Sequence, residues 1–436
     1  MKLKFITSGI NLGFACAKDL RRAGFATTIV SLLLVQSTYA QTPKSSTSPL
    51  LQQATQLRTQ GSKGLETFLT THAKELNNPS PQMREALDTL CQQKDCYASR
   101  LFWYTDLEQA KAAAKTTGKP ILSLRLLGNL NQDLSCANSR FFRVSLYPNA
   151  EISQYLRQNY ILHWQPVRSV PKLTVDFGDG RKLERTITGN SIHYILNSSG
   201  RPIDAIPGLY GSKAFLRQLV DGVKVVKEYD KVAVNQQESF LRNYHRQKLV
   251  AIQSKWQGDL KKLGIKNIPR LVEIPAVGNS TPSAPVAGTI AVSKMQVEAP
   301  LLRNIVPSSS NPNPLREITD QATWTRIAQL HQADAKLDRN SIALIAAKRF
   351  EKGNSQNLRQ IVGNFESAIA LDSIRNEYAL HSQIHEWFTQ GNATSNVNLL
   401  NQKVYAELFL TPNSDAWLGL MSNEGYSAID NDGIRN

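Results

Sequence analysis

The sequence predicts an α/β domain with a helical N-terminal extension, followed by a disordered linker and a mostly α-helical C-terminal domain. Three observations predict it. Residues 98–225 alternate short apolar runs with helical patterns. Residues 273–315 hold seven prolines among many Ser, Asn and Ala. Beyond residue 317, apolar residues recur at helical spacing. The expected layout is 1–40 targeting segment, 41–97 helical extension, 98–225 α/β domain, 226–270 long basic helix, 271–316 linker and 317–436 helical domain.

The first 40 residues read as a signal peptide. Lys2, Lys4, Lys18, Arg21 and Arg22 precede an apolar run over 24–35, and Thr38 and Ala40 suit cleavage before Gln41. That run is about 12 residues, short of the roughly 20 that span a bilayer as a helix. The rival reading is an uncleaved anchor. Arg21-Arg22 resembles a twin-arginine signal whose neighbours fit poorly. Cys16 precedes the run and is not placed as a lipoprotein cysteine. No later transmembrane segment is expected, and the implied location is periplasmic or secreted.

The whole chain of 436 residues carries +16. Without the leader, 396 residues remain, with 46 basic against 34 acidic residues, or +12. This balance favours acidic proteins or an anionic envelope surface as partners. The charges are dispersed and no nucleic-acid motif is present, so a nucleic-acid role is excluded. No P-loop, dinucleotide motif or Ser-His-Asp grouping appears, and no cofactor is expected.

The elements follow in order. Residues 41–49 are Ser/Thr/Pro-rich and read as disordered. Leu51, Ala54 and Leu57, then Leu65, Phe68 and Leu69, give helical spacing broken near Gly61 and Gly64. Ser80 is placed to cap a helix with Pro81 in its first turn, leading to Cys91. Asp106 opens an alanine-rich helix over 107–116 that Gly118 ends, before an apolar strand over 121–127. A helix is expected near Cys136 and another after Pro148, then a strand over 160–164. Residues 173–177 and 183–187 form a hairpin about Asp179-Gly180. Strands at 192–196 and 203–206 follow. A helix from Ser212 is expected to run on to Leu263; Arg242, Arg246, Lys248 and Lys255 give it a basic face, read as solvated rather than anion-binding. His163 and His193 fall in strand patterns and are expected in the core. Beyond the linker, Trp324, Ile327 and Leu330 mark one helical face, and the tail over 404–432 is expected to wrap onto the helices.

The order strand, cysteine-helix, strand, hairpin strands, helix resembles the thioredoxin-like family, over roughly residues 98–222. So does the alanine-rich helix ending in Gly118-Lys119-Pro120-Ile121. The resemblance implies a redox site at Cys136-Ala137-Asn138-Ser139, where the family's C-x-x-C has become C-x-x-S. Ser191 stands at the position of the family's cis-proline, and no tryptophan flanks the cysteine.

A helix start stabilises thiolate, and Arg140 adds positive charge one turn on. A lone thiolate at Cys136 can attack a disulfide, but Ser139 cannot release the mixed product; a nearby second thiol would be needed. The mature chain has three cysteines, and Cys91–Cys96 is the favoured disulfide. The rivals are a bond from either one to Cys136, or buried free thiols. Separately, His381 and His385 share a helical face with Glu377 one turn earlier, a metal-binding spacing. The competing reading has both histidines as partly exposed polar residues beside Trp387 and Phe388. Three functions are therefore open: a redox-degenerate binding or scaffold module with a protein partner, monothiol exchange through Cys136, or metal binding at His381, His385 and Glu377. If the chain is an enzyme, it is a thiol–disulfide oxidoreductase.

Overall fold

The computed structural model describes residues 48–271, 282–302, 314–349, 355–391, 393–421, 428–429 and 434. The expected targeting segment lies outside these residues. The helices and strands, in chain order, begin with α1 (Pro49–Arg58), α2 (Ser62–Thr71), α3 (Pro81–Cys91), α4 (Cys96–Ser99) and β1 (Trp103–Tyr104). The expected caps form. Ser80 Oγ accepts from the Met83 N–H at 3.2 Å, and Pro81 occupies the first turn, where no N–H is needed. The N-terminal helices bury their own small core, including Phe68, Leu87 and Leu90. Arg58 ties that core to the sheet by donating to the carbonyls of Leu90 and Trp103.

Next come α5 (Leu107–Thr117), β2 (Ile121–Leu127), α6 (Ala137–Phe141), α7 (Ala150–Asn159) and β3 (Ile161–Arg168). Asp106 caps α5 through the Gln109 N–H at 2.8 Å, and Gly118 ends it with φ +67°. The hairpin β4 (Lys172–Asp176) and β5 (Lys182–Thr186) forms a separate two-stranded sheet. Then β6 (Ile192–Leu196) and β7 (Pro202–Pro207) complete a five-stranded mixed sheet in the order β1-β3-β2-β6-β7. β1, β3 and β2 run parallel; β6 and β7 are antiparallel additions. β2 lies at the centre and every residue in it is buried, Ser123 and Arg125 included. His163 and His193 are fully buried, in agreement with the strand patterns.

The long helix expected from Ser212 is two helices, α8 (Ser212–Tyr229) and α9 (Gln237–Lys262). Tyr229 is buried at the end of α8, and its hydroxyl donates to Gln237 across the break. Lys248 of the basic face pairs with Asp221 of α8 at 2.5 Å.

Residues 282–302 correct the expected linker. They form α10 (Ala284–Gly288) and α11 (Val292–Leu302) and bury Val286, Ile290 and Leu302. Pro285 sits in the first turn of α10, where proline is tolerated. The chain continues through α12 (Gln321–Leu330), α13 (Arg339–Ala347), α14 (Ser355–Arg375), α15 (Ser382–Gln390) and α16 (Val397–Lys403). π-helical turns follow α14 and α16, at Asn376–His381 and Val404–Leu408. Trp324 and Ile327 are buried, whereas Leu330 is largely exposed. The tail packs inward at Phe409, Leu410 and Leu418.

The C-terminal helices share one hydrophobic core with the sheet, running from Tyr194 and Trp164 to Trp256, Tyr378 and Tyr405. Polar bonds cross the same boundary. The Gly211 N–H donates to Ser373 Oγ at 2.7 Å, and Asn376 Nδ2 donates to the Leu209 carbonyl at 2.8 Å. Among the described residues, no helix is long and apolar enough to cross a membrane.

Candidate functional site

β2 delivers Cys136. The Cys136 N–H donates to the Leu127 carbonyl at 3.1 Å, which closes the excursion after the strand, and Cys136 is the N-cap of α6. The side chain is fully buried. Its Sγ lies 3.1 Å from Ser191 Oγ, 3.5 Å from Ser139 Oγ and 3.9 Å from the Asn190 carbonyl oxygen. Ser139 is committed elsewhere, donating to the Cys136 carbonyl at 2.8 Å and lying 2.7 Å from Ser135 Oγ. The structure thus brings together Cys136, Ser139 and Ser191. Arg140 stands close enough to interact electrostatically with Cys136, but burial lowers its pKa while Cys136 and Glu298 oppose that shift.

The loop facing the thiol is held from outside. Thr188 and Gly189 both adopt left-handed backbone, at φ +64° and +82°. Gly189 is required there: a Cβ would meet Leu127 at 3.0 Å and Cys136 at 3.3 Å. Glu298 of α11 accepts from the Thr188 N–H at 3.0 Å. Its carboxyl pKa is pushed up to about 7 by burial, against the pull of Lys294 and Arg140. Tyr405, in the π-turn after α16, donates to the Asn190 carbonyl at 2.7 Å and is itself buried. Two segments far along the chain therefore cover the thiol site. Neither Glu298 nor Tyr405 has a local sequence signal, because each acts through a contact more than 100 residues away.

Cys91 and Cys96 are bonded to each other, with Cα atoms 6.2 Å apart, and Cys136 is the free cysteine among the described residues. The pair sits in the N-terminal helical core, whereas Cys136 belongs to the sheet core. Asp88 Oδ1 accepts from the Cys96 N–H at 2.9 Å and fixes the turn.

The second predicted constellation is partly redrawn. His381 and His385 stack with ring centroids 4.1 Å apart, and both are buried rather than partly exposed. Glu377 is not beside both: its Oε2 is 3.9 Å from His381 Nδ1 and accepts from Gln218 at 2.8 Å. The carboxylate that joins them is Asp204 of β7, whose Oδ1 lies 3.1 Å from His381 Nε2. His245 of α9 completes the group, with its Nδ1 2.7 Å from His385 Nδ1. Burial opposes charge on His381, but Asp204 and Glu377 outweigh it and lift its pKa to about 9. Burial would raise Asp204, yet His381 and His385 hold it well below the usual carboxylate range. Burial, reinforced by the His381 charge, pushes His385 down. Asp204 and His245 were missed because they lie in a strand and a helix remote from residues 377–385, with no shared local motif.

Fold and site together define a mixed α/β protein with a sealed thiol and a buried histidine–carboxylate group. No protein-family model, curated protein or solved structure matches the chain.

Proposed function

We propose that the chain is an exported, redox-silent thioredoxin-like protein that acts as a binding or scaffold module of the cell envelope. Several features support the kinship. The central strand β2 leads to a cysteine at a helix start, and parallel β3 and antiparallel β6 flank that strand. Ser191 faces the cysteine from the place where the family carries its cis-proline.

The observation that carries the silent reading is the cover over Cys136. The thiol is fully buried and the loop beside it is bonded to Tyr405 and Glu298. Disulfide exchange needs in-line approach of a second sulfur to the thiolate. The C-terminal helices deny that approach, and Cys91 and Cys96 are already bonded to each other. What remains is a basic platform suited to a protein partner.

Crosslinking in cells tests this reading. Cys136→Ser is expected to leave the set of crosslinked partners and their yield unchanged. Loss of partners on that exchange of sulfur for oxygen would show that the thiol is used.

A further inference from the structure

We propose that Asp204, His381 and His385 bind one divalent transition-metal ion, best fitted by zinc(II), in a buried three-ligand site that pins the C-terminal helices to β7. This goes beyond the scaffold reading and does not depend on Cys136.

Reach comes first. One ligand atom from each of the three residues lies within 4.8 Å of the others, and all three residues are buried. Ligands around zinc at roughly 2.0–2.1 Å sit roughly 3.3 Å apart in a tetrahedron. The Asp204–His381 pair is already at 3.1 Å, so the remaining closure falls to the His385 ring. The π-turn Asn376–His381 ends at His381, one helical turn before His385; such turns recur at functional sites.

Hydrogen bonding then fixes which His385 nitrogen is the ligand. His245 Nε2 lies 3.1 Å from the Ile203 carbonyl oxygen, which can only accept, so His245 carries its proton there. His245 Nδ1 is therefore an acceptor, and the His385 Nδ1 facing it at 2.7 Å must be the donor. That assignment leaves His385 Nε2 as a bare lone pair. It is buried and has no hydrogen-bond partner. A histidine whose far nitrogen is held in this way is the usual form of a metal ligand. Asp204 also has an outer partner, and a carboxylate stands near the far nitrogen of His381. Tyr244 donates to Asp204 Oδ2 at 2.8 Å, and Glu377 stands 3.9 Å from His381 Nδ1.

Charge selects a divalent ion. Asp204 is a buried carboxylate and Glu377 a largely buried one, and each stands beside His381. A 2+ ion with three neutral histidines balances both, whereas a proton on His381 balances one. Two imidazole nitrogens and one carboxylate oxygen suit zinc and its neighbours rather than magnesium or calcium. All three ligands are buried, so the ion would fasten the π-turn and α15 to the sheet edge, with the fourth position of a tetrahedron left to a small non-protein ligand such as water.

The purified full chain decides the matter. It would be expressed with added zinc, and a second sample would be refolded from denaturant with a chelator and then with zinc(II) or cobalt(II) alone. About one equivalent of zinc is expected to remain bound after dialysis, with a Tm several degrees above that of the metal-free chain. Cobalt(II) should give the visible absorption of a four- or five-coordinate nitrogen–oxygen site. His385→Gln, which keeps a polar side chain of similar reach, is expected to lose the zinc. If that variant fails to fold, the wild-type stoichiometry, spectrum and Tm shift still decide. Wild-type chain that retains no metal, or a His385→Gln chain that retains as much, overturns the proposal.

Discussion

Cys136 Sγ lies 3.1 Å from Ser191 Oγ, so the cysteine at the helix start faces a hydroxyl, not a second sulfur. The contact ties the helix after β2 to the loop before β6. Outside that loop stand Tyr405 and Glu298, and each can be tested separately.

Tyr405→Phe keeps the buried ring and removes the bond to the Asn190 carbonyl. It is expected to cost about 1 kcal/mol, the net value of one buried hydrogen bond. Chemical denaturation measures the cost. Because the lost bond holds the covering segment, the same variant should also label faster at Cys136 than wild type.

Gly189→Ala places a methyl group against Leu127 and Cys136 in a left-handed backbone position. Strain and overpacking together are expected to cost about 2–3 kcal/mol. An unchanged urea midpoint would mean that the loop is not held as described.

Glu298 gives a pH signature. Its pKa is about 7 in the fold against an ordinary 4.5, so the folded state binds the extra proton between these values. Stability therefore falls as pH rises from about 4.5 to about 7, and the full cost persists above that. Glu298→Gln keeps an acceptor for the Thr188 N–H and removes the buried charge. It should match wild type near pH 4.5 and exceed it by roughly 3 kcal/mol at pH 8. Equal stabilities at pH 8 would contradict the burial of that carboxylate.

His163 and His193 act with the opposite sign. Burial pushes both down to about 3, so the unfolded chain takes up protons below 6.5 while the fold does not. Stability is lost as pH falls from 6.5 toward 3. Between pH 6.5 and 5 these two alone cost roughly 3 kcal/mol, of which Glu298 offsets roughly half, while His245 and His385, also lowered by burial, add to the loss. Denaturant titrations at pH 6.5 and 5 measure it, and a flat profile would be inconsistent with two neutral buried histidines.

Local chemistry was legible in the sequence where the signal is local. Ser80, Asp106 and Gly118 mark helix ends by their own side chains or backbone, and the structure uses all three. The Asp179-Gly180 hairpin and the central strand followed from period and turn residues. Residues 282–302 misled because proline content averages over a window, while Pro285 occupies a position that needs no N–H and Val286 and Ile290 still reach the core. The break between α8 and α9 was hidden by helical spacing that continues on both sides. His381 and His385 were visible as a helical pair, but Asp204 and His245 enter only through tertiary packing. The cover over Cys136 is likewise tertiary: Tyr405 and Glu298 approach from segments whose sequence carries no mark of the thiol.

The most direct measurement is the alkylation rate of Cys136 in the native, disulfide-intact chain, compared with the same chain in denaturant. Because the thiol is exposed only when the C-terminal cover opens, labelling in the folded state should be at least about a thousandfold slower. Labelling within about tenfold of the denatured rate would mean that the thiol is open to partners, contradicting its silence.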